Sequence, residues 1–204
     1  MVGSGPRMLL VVMSMLAAWT AELQAADAGA NPPQWTIEQH TDDPRYAAVV
    51  PTATNTNIDA VVLACEEAWG GRILQLQLYL SDDGPLQPRY LQLQPLKAIP
   101  HAAIAIDWRI YPVALLFADD YAVLADDLDG PFPALYAQLA SAMQTGSLMT
   151  LHFDLLDEWP GQAPSFDSEA VVDLQAPGGP EAIAAMRRCA DSVRLQAGTL
   201  GSHN

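Results

Sequence analysis

The sequence predicts an α+β fold that is mostly β: an antiparallel sandwich or open barrel with two helices, the C-terminal helix being linked to the sheet by a disulfide. Three observations predict this class. Short apolar segments alternate with polar residues at a period of two, as in strands that have one polar face. Turn-forming residues recur roughly every ten residues. Two segments with helical spacing of apolar residues interrupt the alternation.

The predicted strands are organised around a hairpin over residues 59–80. Its first strand places Val61, Leu63 and Cys65 on one face, and Gly70-Gly71 suits a tight turn. Further strands are predicted at 35–39, 46–50, 90–94, 104–110, 111–117, 121–124, 147–155 and 169–174, and the strand over 104–110 is expected to place Ile104, Ile106, Trp108 and Ile110 on one face. The polar loop 52–57 can pair as an edge of the sheet.

Two helices are predicted, one over Pro131 to Gln144 and one over Gly179 to Gln196. Each has apolar residues at helical spacing and a proline near its start, and Gly146 follows the first helix. The only two cysteines are Cys65 and Cys189, and in an exported chain such a pair favours a disulfide. Cys189 falls on the apolar stripe of the second helix, so its sulfur is expected to face the sheet. Two buried free thiols are the alternative.

The first 25 residues have the pattern of a secretory signal peptide. Arg7 precedes a short apolar run, and small residues follow at Ala25 and Ala26. An uncleaved N-terminal anchor is the alternative, although the run is too short to span a bilayer comfortably. The predicted divisions are a signal peptide at 1–25, a flexible mature N-terminus at 26–34, a single β-rich domain at 35–197 and a frayed tail at 198–204. We expect a periplasmic or secreted protein with no stable membrane insertion after cleavage.

The composition is strongly acidic, with 9 Lys and Arg against 24 Asp and Glu and a net charge of −15. Phosphate binding needs clustered cations, so the charge argues against nucleic acid and against anionic membranes as partners. It is compatible with a cationic partner, for example another envelope protein. The simpler interpretation is that the acidity only aids solubility.

A search for catalytic motifs favours a protein that is not an enzyme and has no cofactor. The chain has no G-x-S-x-G, Walker, H-E-x-x-H or C-x-x-C motif. Asp127 and Asp129 precede Gly130 as in a calcium loop, but Ala125 and Tyr136 break the pattern, so a solvated loop is favoured over a metal site. The alternative function is a hydrolase whose acidic and histidine site is built from Asp126, Asp127, Asp129, His152 and Asp154, with His101 as a further acid–base candidate.

Amide and aromatic side chains alternate along the predicted polar face of the sheet. They are Gln75, Gln77, Tyr79, Tyr90 and Gln92. Such groups on neighbouring strands can bind a sugar or the edge of a protein. The sequence therefore predicts a possible partner-binding face here, and an ordinary solvated or helix-covered face is the alternative.

Several short segments occur in an order that resembles a group of small exported bacterial proteins. They are Trp35, Leu63-Ala64-Cys65 followed by the strand from Leu74 to Leu80, residues 147–153, Val172-Asp173-Leu174, and the glycine-and-helix segment from Gly178 to Cys189. In this order they are similar to the invasion-associated locus B type and to accessory proteins of type VI secretion. The resemblance implies an extracytoplasmic β-rich fold with a Cys65–Cys189 bridge, and it brings no catalytic residues. Together with the signal pattern, it favours an exported, non-catalytic periplasmic binding or accessory protein.

Overall fold

A computed structural model describes residues 32–81, 84–86, 101–118, 121–156 and 165–200, with the side chains of 192–200 excepted. All of them belong to one compact unit, Pro32–Asn204. Within these ranges the chain forms the strands β1 Thr36–Ile37, β2 Tyr46–Val49, β3 Ala53–Thr54, β4 Ile58–Ala68, β5 Gly71–Leu80, β6 His101–Ile106, β7 Arg109–Phe117, β8 Tyr121–Ala125, β9 Leu148–Asp154 and β10 Ser168–Asp173, and the helices α1 Ala137–Thr145 and α2 Gly179–Leu200.

The ten strands form one curled antiparallel sheet, a half-barrel, in the order β1-β2-β4-β5-β8-β7-β6-β9-β10-β3. The predicted class is therefore confirmed: the fold is mostly β, with two helices and an open sheet. The predicted hairpin forms β4 and β5, which are joined by a turn at Trp69-Gly70 where Gly70 adopts a φ of 92°. Both edge strands, β1 and β3, have only two residues. Neither helix in the described part of the chain is long and apolar enough to cross a membrane.

The two faces of the sheet have different roles. The inner face carries Leu63, Cys65, Leu76 and Leu151, and the apolar sides of α1 and α2 pack on it to form the core. The outer face carries the residues between them along each strand. Met149, Leu151, Phe153 and Leu155 are buried on the inner side, as the alternation in residues 147–155 predicts.

The disulfide between Cys65 and Cys189 links β4 to α2. The two Cα atoms lie 6.1 Å apart, and the cysteines are separated by 124 residues in sequence. Closing a loop of this length stabilises the folded state by about 4–5 kcal/mol in the chain-entropy model. The predicted pairing is confirmed. Arg72 on the neighbouring strand donates a hydrogen bond to the Cys189 sulfur (3.3 Å).

Trp35 closes the junction between β10 and α2. Its indole N–H donates to the Asp173 carbonyl (3.0 Å), and its backbone N–H donates to the Pro177 carbonyl (2.9 Å). Gly178 has a φ of 81°, and a Cβ there would lie 2.7 Å from the Trp35 carbonyl oxygen. The glycine therefore permits the backbone to approach Trp35 at the start of α2.

The predicted strand over residues 104–110 is wrong, because the chain turns inside it. Asp107 and Trp108 join β6 to β7, and Asp107 adopts a φ of 53°, which aspartate tolerates better than most residues. The Asp107 carboxylate accepts the backbone N–H groups of Ser147 and Leu148 (3.0 and 3.1 Å). These bonds hold the turn, and Trp108 and Ile110 are exposed whereas Ile104 and Ile106 are buried, so the four residues do not share one face.

The start of the first predicted helix is also corrected. The helix begins at Ala137 rather than at Pro131, and it ends at Thr145 with Gly146 following, as predicted. The residues before it are extended: Ala134 pairs with Asp127, and the N–H of Leu135 donates to the carbonyl of Leu74 (2.8 Å). Pairing with the sheet thus takes precedence over the helical spacing of apolar residues in this segment.

Several predictions lie outside the described residues. They are the signal peptide at 1–25, most of the flexible segment 26–34, the strand at 90–94 and the end of the tail at 198–204. Of the other predicted elements, the loop 52–57 contributes the edge strand β3.

Candidate functional site

The predicted partner-binding face is only partly accessible. Gln75 and Gln77 lie on the outer face, as predicted, but both are buried, Gln77 to 2% exposure. Gln75 donates to the Pro133 carbonyl (2.6 Å), and Gln77 donates to the side-chain oxygens of Gln75 and Glu66 (both 3.1 Å). The expected solvated face is therefore corrected at these two positions, since their amide groups bond within the protein.

Tyr79 is the one member of the predicted face that the structure describes as exposed. Its ring stacks on Tyr121 of β8, with centroids 5.7 Å apart. Tyr90 and Gln92 lie outside the described residues. An accessible surface on this side of the sheet must therefore be sought beyond β5, on strands β6 to β8.

An apolar groove crosses these three strands on the outer face, with a volume of about 690 Å³. We call it the outer groove, and it is lined by His101, Ala102, Ala103, Ile110, Pro112, Val113, Ala114, Leu115, Leu116, Ala125, Asp126, Leu128 and Phe166. Its volume lies within the range of cavities that bind drug-sized ligands.

Strand register explains the shape of the outer groove. Ala114 of β7 pairs with His101 on one side and with Ala125 on the other, and Ala103 pairs with Pro112. Because these small side chains share the outer face, they form a low floor. Ile110 and Leu116, further along β7 in each direction, are larger and exposed. A row of small residues between larger ones is what produces the depression.

His101 and Asp154 form a polar pair at the groove. They are register partners on β6 and β9, and His101 Nδ1 lies 3.9 Å from Asp154 Oδ2. The imidazole is largely exposed, whereas Asp154 is buried to 2% exposure.

Asp126 places a carboxyl group in the outer groove. Burial raises the pKa of Asp126, although its Oδ1 accepts the backbone N–H of Tyr136 (2.7 Å), which lowers it. The other two aspartates of the run bond within their own loop. Asp127 accepts the N–H of Asp129 (3.1 Å), and Asp129 accepts the hydroxyl of Tyr136 (3.1 Å). Among the described residues, no group of three or more His, Cys, Asp or Glu is placed to hold a metal ion.

The residues of the hydrolase alternative are distributed over different surroundings. Asp126 lines the outer groove, while Asp127 lines a smaller cavity beside Arg72 and the helices. His152 stacks on Phe166 with centroids 5.1 Å apart, and its Nδ1 lies 3.9 Å from Glu169 Oε2. The pair closest to the groove is thus His101 with Asp154.

The outer groove was not predicted from the sequence. The prediction placed Ile110 on the same strand face as Ile104 and Ile106, and the turn at Asp107 separates it from them. One signal was available: β7 reads Ile-Tyr-Pro-Val-Ala-Leu-Leu-Phe after Arg109, which is apolar on both faces. A strand of this kind has to contact something on each side.

Comparison of the chain with protein-family models, with curated proteins and with solved structures found no match. The resemblance to small exported bacterial proteins therefore stays a prediction. The disulfide is consistent with an oxidising compartment.

Proposed function

We propose that the chain is an exported, non-catalytic binding or accessory protein that holds a partner in its outer groove. The observation that carries the proposal is the groove itself, an open apolar cavity of about 690 Å³ with polar groups only at His101 and Asp126. Apolar cavities with a few placed polar groups are typical ligand sites. The envelope location rests on the signal pattern in residues 1–25, supported by the disulfide.

The edge strands of the sheet are short, which favours binding of a partner to a face of the sheet rather than to its edge. A partner strand that joins a sheet needs a row of free backbone groups, and β1 and β3 offer two residues each. By contrast, the outer face of β6, β7 and β8 presents a continuous apolar surface. A partner that inserts an apolar group there gains from the area that it removes from water.

Filling the groove floor tests the proposal. Ala114→Trp should occupy the floor, because Ala114 lies between His101 and Ala125. Val50→Trp is the matched control, since Val50 is an exposed apolar residue that does not line the groove. Titration with the neutral dye Nile red should show binding that Ala114→Trp weakens at least about tenfold and that Val50→Trp leaves unchanged.

The same variants extend the test to the natural partner. A protein that the wild-type chain and the Val50→Trp variant retain from envelope extract should be lost with Ala114→Trp. Equal retention by all three chains would refute a partner in the groove. Mass spectrometry of the exported protein tests the location, because an intact residue 1–25 segment would contradict cleavage.

A hydrolase is the second candidate, and His101 beside the buried Asp154 is the observation that favours it. A carboxylate that orients a histidine is a common acid–base arrangement. A panel of ester, phosphoester and glycoside substrates should then show a turnover that Asp154→Asn abolishes and that Val50→Trp does not affect. Turnover that survives Asp154→Asn would exclude this pair as the site.

A further inference from the structure

We infer that one end of the sheet is a docking surface for a basic segment of a partner protein that carries large apolar side chains. We call it the tip surface and define it by four exposed aromatic residues, Trp69, Trp108, Phe132 and Tyr136. It shares no residue with the outer groove. The inference therefore goes beyond the proposed function and does not depend on it.

Strand register places the two tryptophans at the same end of the sheet. Leu76, Leu124 and Leu115 pair in one row across β5, β8 and β7. Along these strands, Gly71 lies five residues from Leu76, and Arg109 lies six residues from Leu115 in the same direction. The two hairpin turns thus extend to nearly the same distance beyond this row of paired residues.

The loop between β8 and α1 fills the space between the two turns. It leaves the sheet after Ala125 at that end, and the bridge between Asp127 and Ala134 makes it fold back beside β5. Phe132 lies in the part that folds back, and Tyr136 bonds to Asp129 through its hydroxyl. The two turns are about three strand spacings apart, or roughly 14 Å, so the aromatic residues form one patch.

The exposure of this patch is unusual for a protein surface. Trp69 is 90% exposed and Trp108 is 80% exposed, although tryptophan is normally among the more buried residues. Arg109 lies over the Trp108 ring, 4.7 Å from its centroid, and the Trp69 turn makes no contribution to the core. Exposed tryptophan and tyrosine of this kind are the residues that supply most of the binding energy at protein interfaces.

Charge identifies the class of partner. The acidic residues at this end include Glu66 before Trp69 and Asp127 and Asp129 before Phe132, whereas Glu67 is paired with Arg45 (2.8 Å). Among the cations nearby, Arg72 is engaged by Asp43 through both guanidinium nitrogens (3.1 and 2.7 Å). With a net charge of −15, the chain repels a second copy of itself and an anionic lipid surface. A basic segment with apolar anchors complements both the carboxylates and the aromatic rings.

The test uses two labelled synthetic peptides of about 15 residues with equal positive charge. One contains lysine, leucine and tryptophan, and the other contains lysine, serine and glycine. Fluorescence anisotropy with the exported protein should show binding of the apolar basic peptide. The double variant Trp69→Ser/Trp108→Ser should weaken this binding at least about tenfold.

Val50→Ser/Leu156→Ser is the matched control. It removes two exposed apolar residues that lie beyond the opposite ends of their strands, so it should leave peptide binding unchanged. Asp127→Asn/Asp129→Asn should weaken binding and reduce its dependence on salt, because it removes two charges and keeps the side-chain acceptors. Ala114→Trp should have no effect, and this separates failure of the tip surface from failure of the groove.

Four results would overturn the inference. The first is equal affinity for the polar basic peptide, since this would mean that charge alone attracts it. The second is an equal loss in the control and tryptophan variants. The third is tryptophan-dependent binding to phosphatidylcholine or phosphatidylglycerol vesicles with no binding of the apolar peptide. The fourth is tryptophan-dependent dimerisation in sedimentation equilibrium, which would assign the patch to a second copy.

Discussion

At the residue scale, two glycines determine how closely the start of α2 packs on the rest of the fold. Gly178 and Gly179 lie between Trp35 and the end of β10. A Cβ on Gly179 would lie 2.3 Å from the Leu174 carbonyl oxygen and 3.0 Å from the Trp35 ring. Neither neighbour can move easily, because one is backbone and the other is hydrogen-bonded to Asp173. Position 179 therefore needs a glycine because there is no room for a side chain, and not because of an unusual φ.

Gly179→Ala should lower the free energy of unfolding by about 1–3 kcal/mol, the usual cost of forcing an extra carbon into a packed site. Gly130→Ala is the control, because a Cβ there would meet only the Phe132 carbonyl oxygen at 3.7 Å, an ordinary contact. Urea unfolding of both variants measures the difference. Equal urea midpoints for the two variants would show that the start of α2 accommodates the extra carbon without loss of stability.

The ion pair between Asp43 and Arg72 makes a pH-dependent contribution to stability. The hydrogen bond from Arg72 lowers the pKa of Asp43 below its usual 3.8. Because the folded pKa is below the unfolded value, the stabilisation is complete above about pH 4 and is lost as the pH falls through the folded pKa. Asp43→Asn should therefore reduce stability at neutral pH and flatten its decline on acidification. Urea midpoints measured from pH 7 to pH 2 check this, with Asp42→Asn as the neighbouring control.

At the element scale, the disulfide joins β4, the third strand from one edge of the sheet, to the last helix. Cys65 is fully buried on β4, and Cys189 lies on the side of α2 that packs on the inner face. The bond therefore adds a covalent link to a helix that otherwise is held mainly by apolar packing. Its sequence separation of 124 residues makes the constraint on the unfolded chain large.

Reduction of the disulfide should lower the melting temperature by roughly 10–20 °C, from a loss of about 4–5 kcal/mol in a chain of this size. Thermal unfolding with and without a reductant measures the shift. Cys65→Ala/Cys189→Ala supplies the control, since it should melt at the same temperature under both conditions. An unchanged melting temperature of the wild-type chain would mean that the packing of α2 suffices.

The elements were predictable where local pattern and tertiary contacts agree. The β4–β5 hairpin, β9 and the start of α2 have clear periodicity, and the structure confirms them. The turn at Asp107 was not predictable, because its carboxylate is satisfied by backbone groups forty residues away at Ser147. The same is true of the outer groove, which exists because register places Ala114 beside Ala125 and His101, and Ala103 beside Pro112. Both features depend on contacts between residues that are distant in the sequence, and a local sequence pattern does not show such contacts.

At the scale of the whole molecule, acidity and exposed aromatic residues occur together. The chain carries a net charge of −15, and the two largest exposed side chains among the described residues are tryptophans at one end of the sheet. Charge acts over about 10 Å at moderate ionic strength and brings a cationic partner close, while the rings act only on contact. The negative charge would thus attract a cationic partner from a distance, and the aromatic rings would hold it once it is in contact.

The anchoring of Trp35 also constrains the order in which the protein can fold. Trp35, in the first described segment of the chain, donates hydrogen bonds to Asp173 and Pro177 near the other end. In the same way, β3 pairs with β10, and Cys65 forms its disulfide with Cys189. A polypeptide that emerges N-terminus first therefore cannot complete its core until nearly all of it has been delivered. During synthesis it would stay loosely collapsed, and folding would finish only after release of the C-terminal helix.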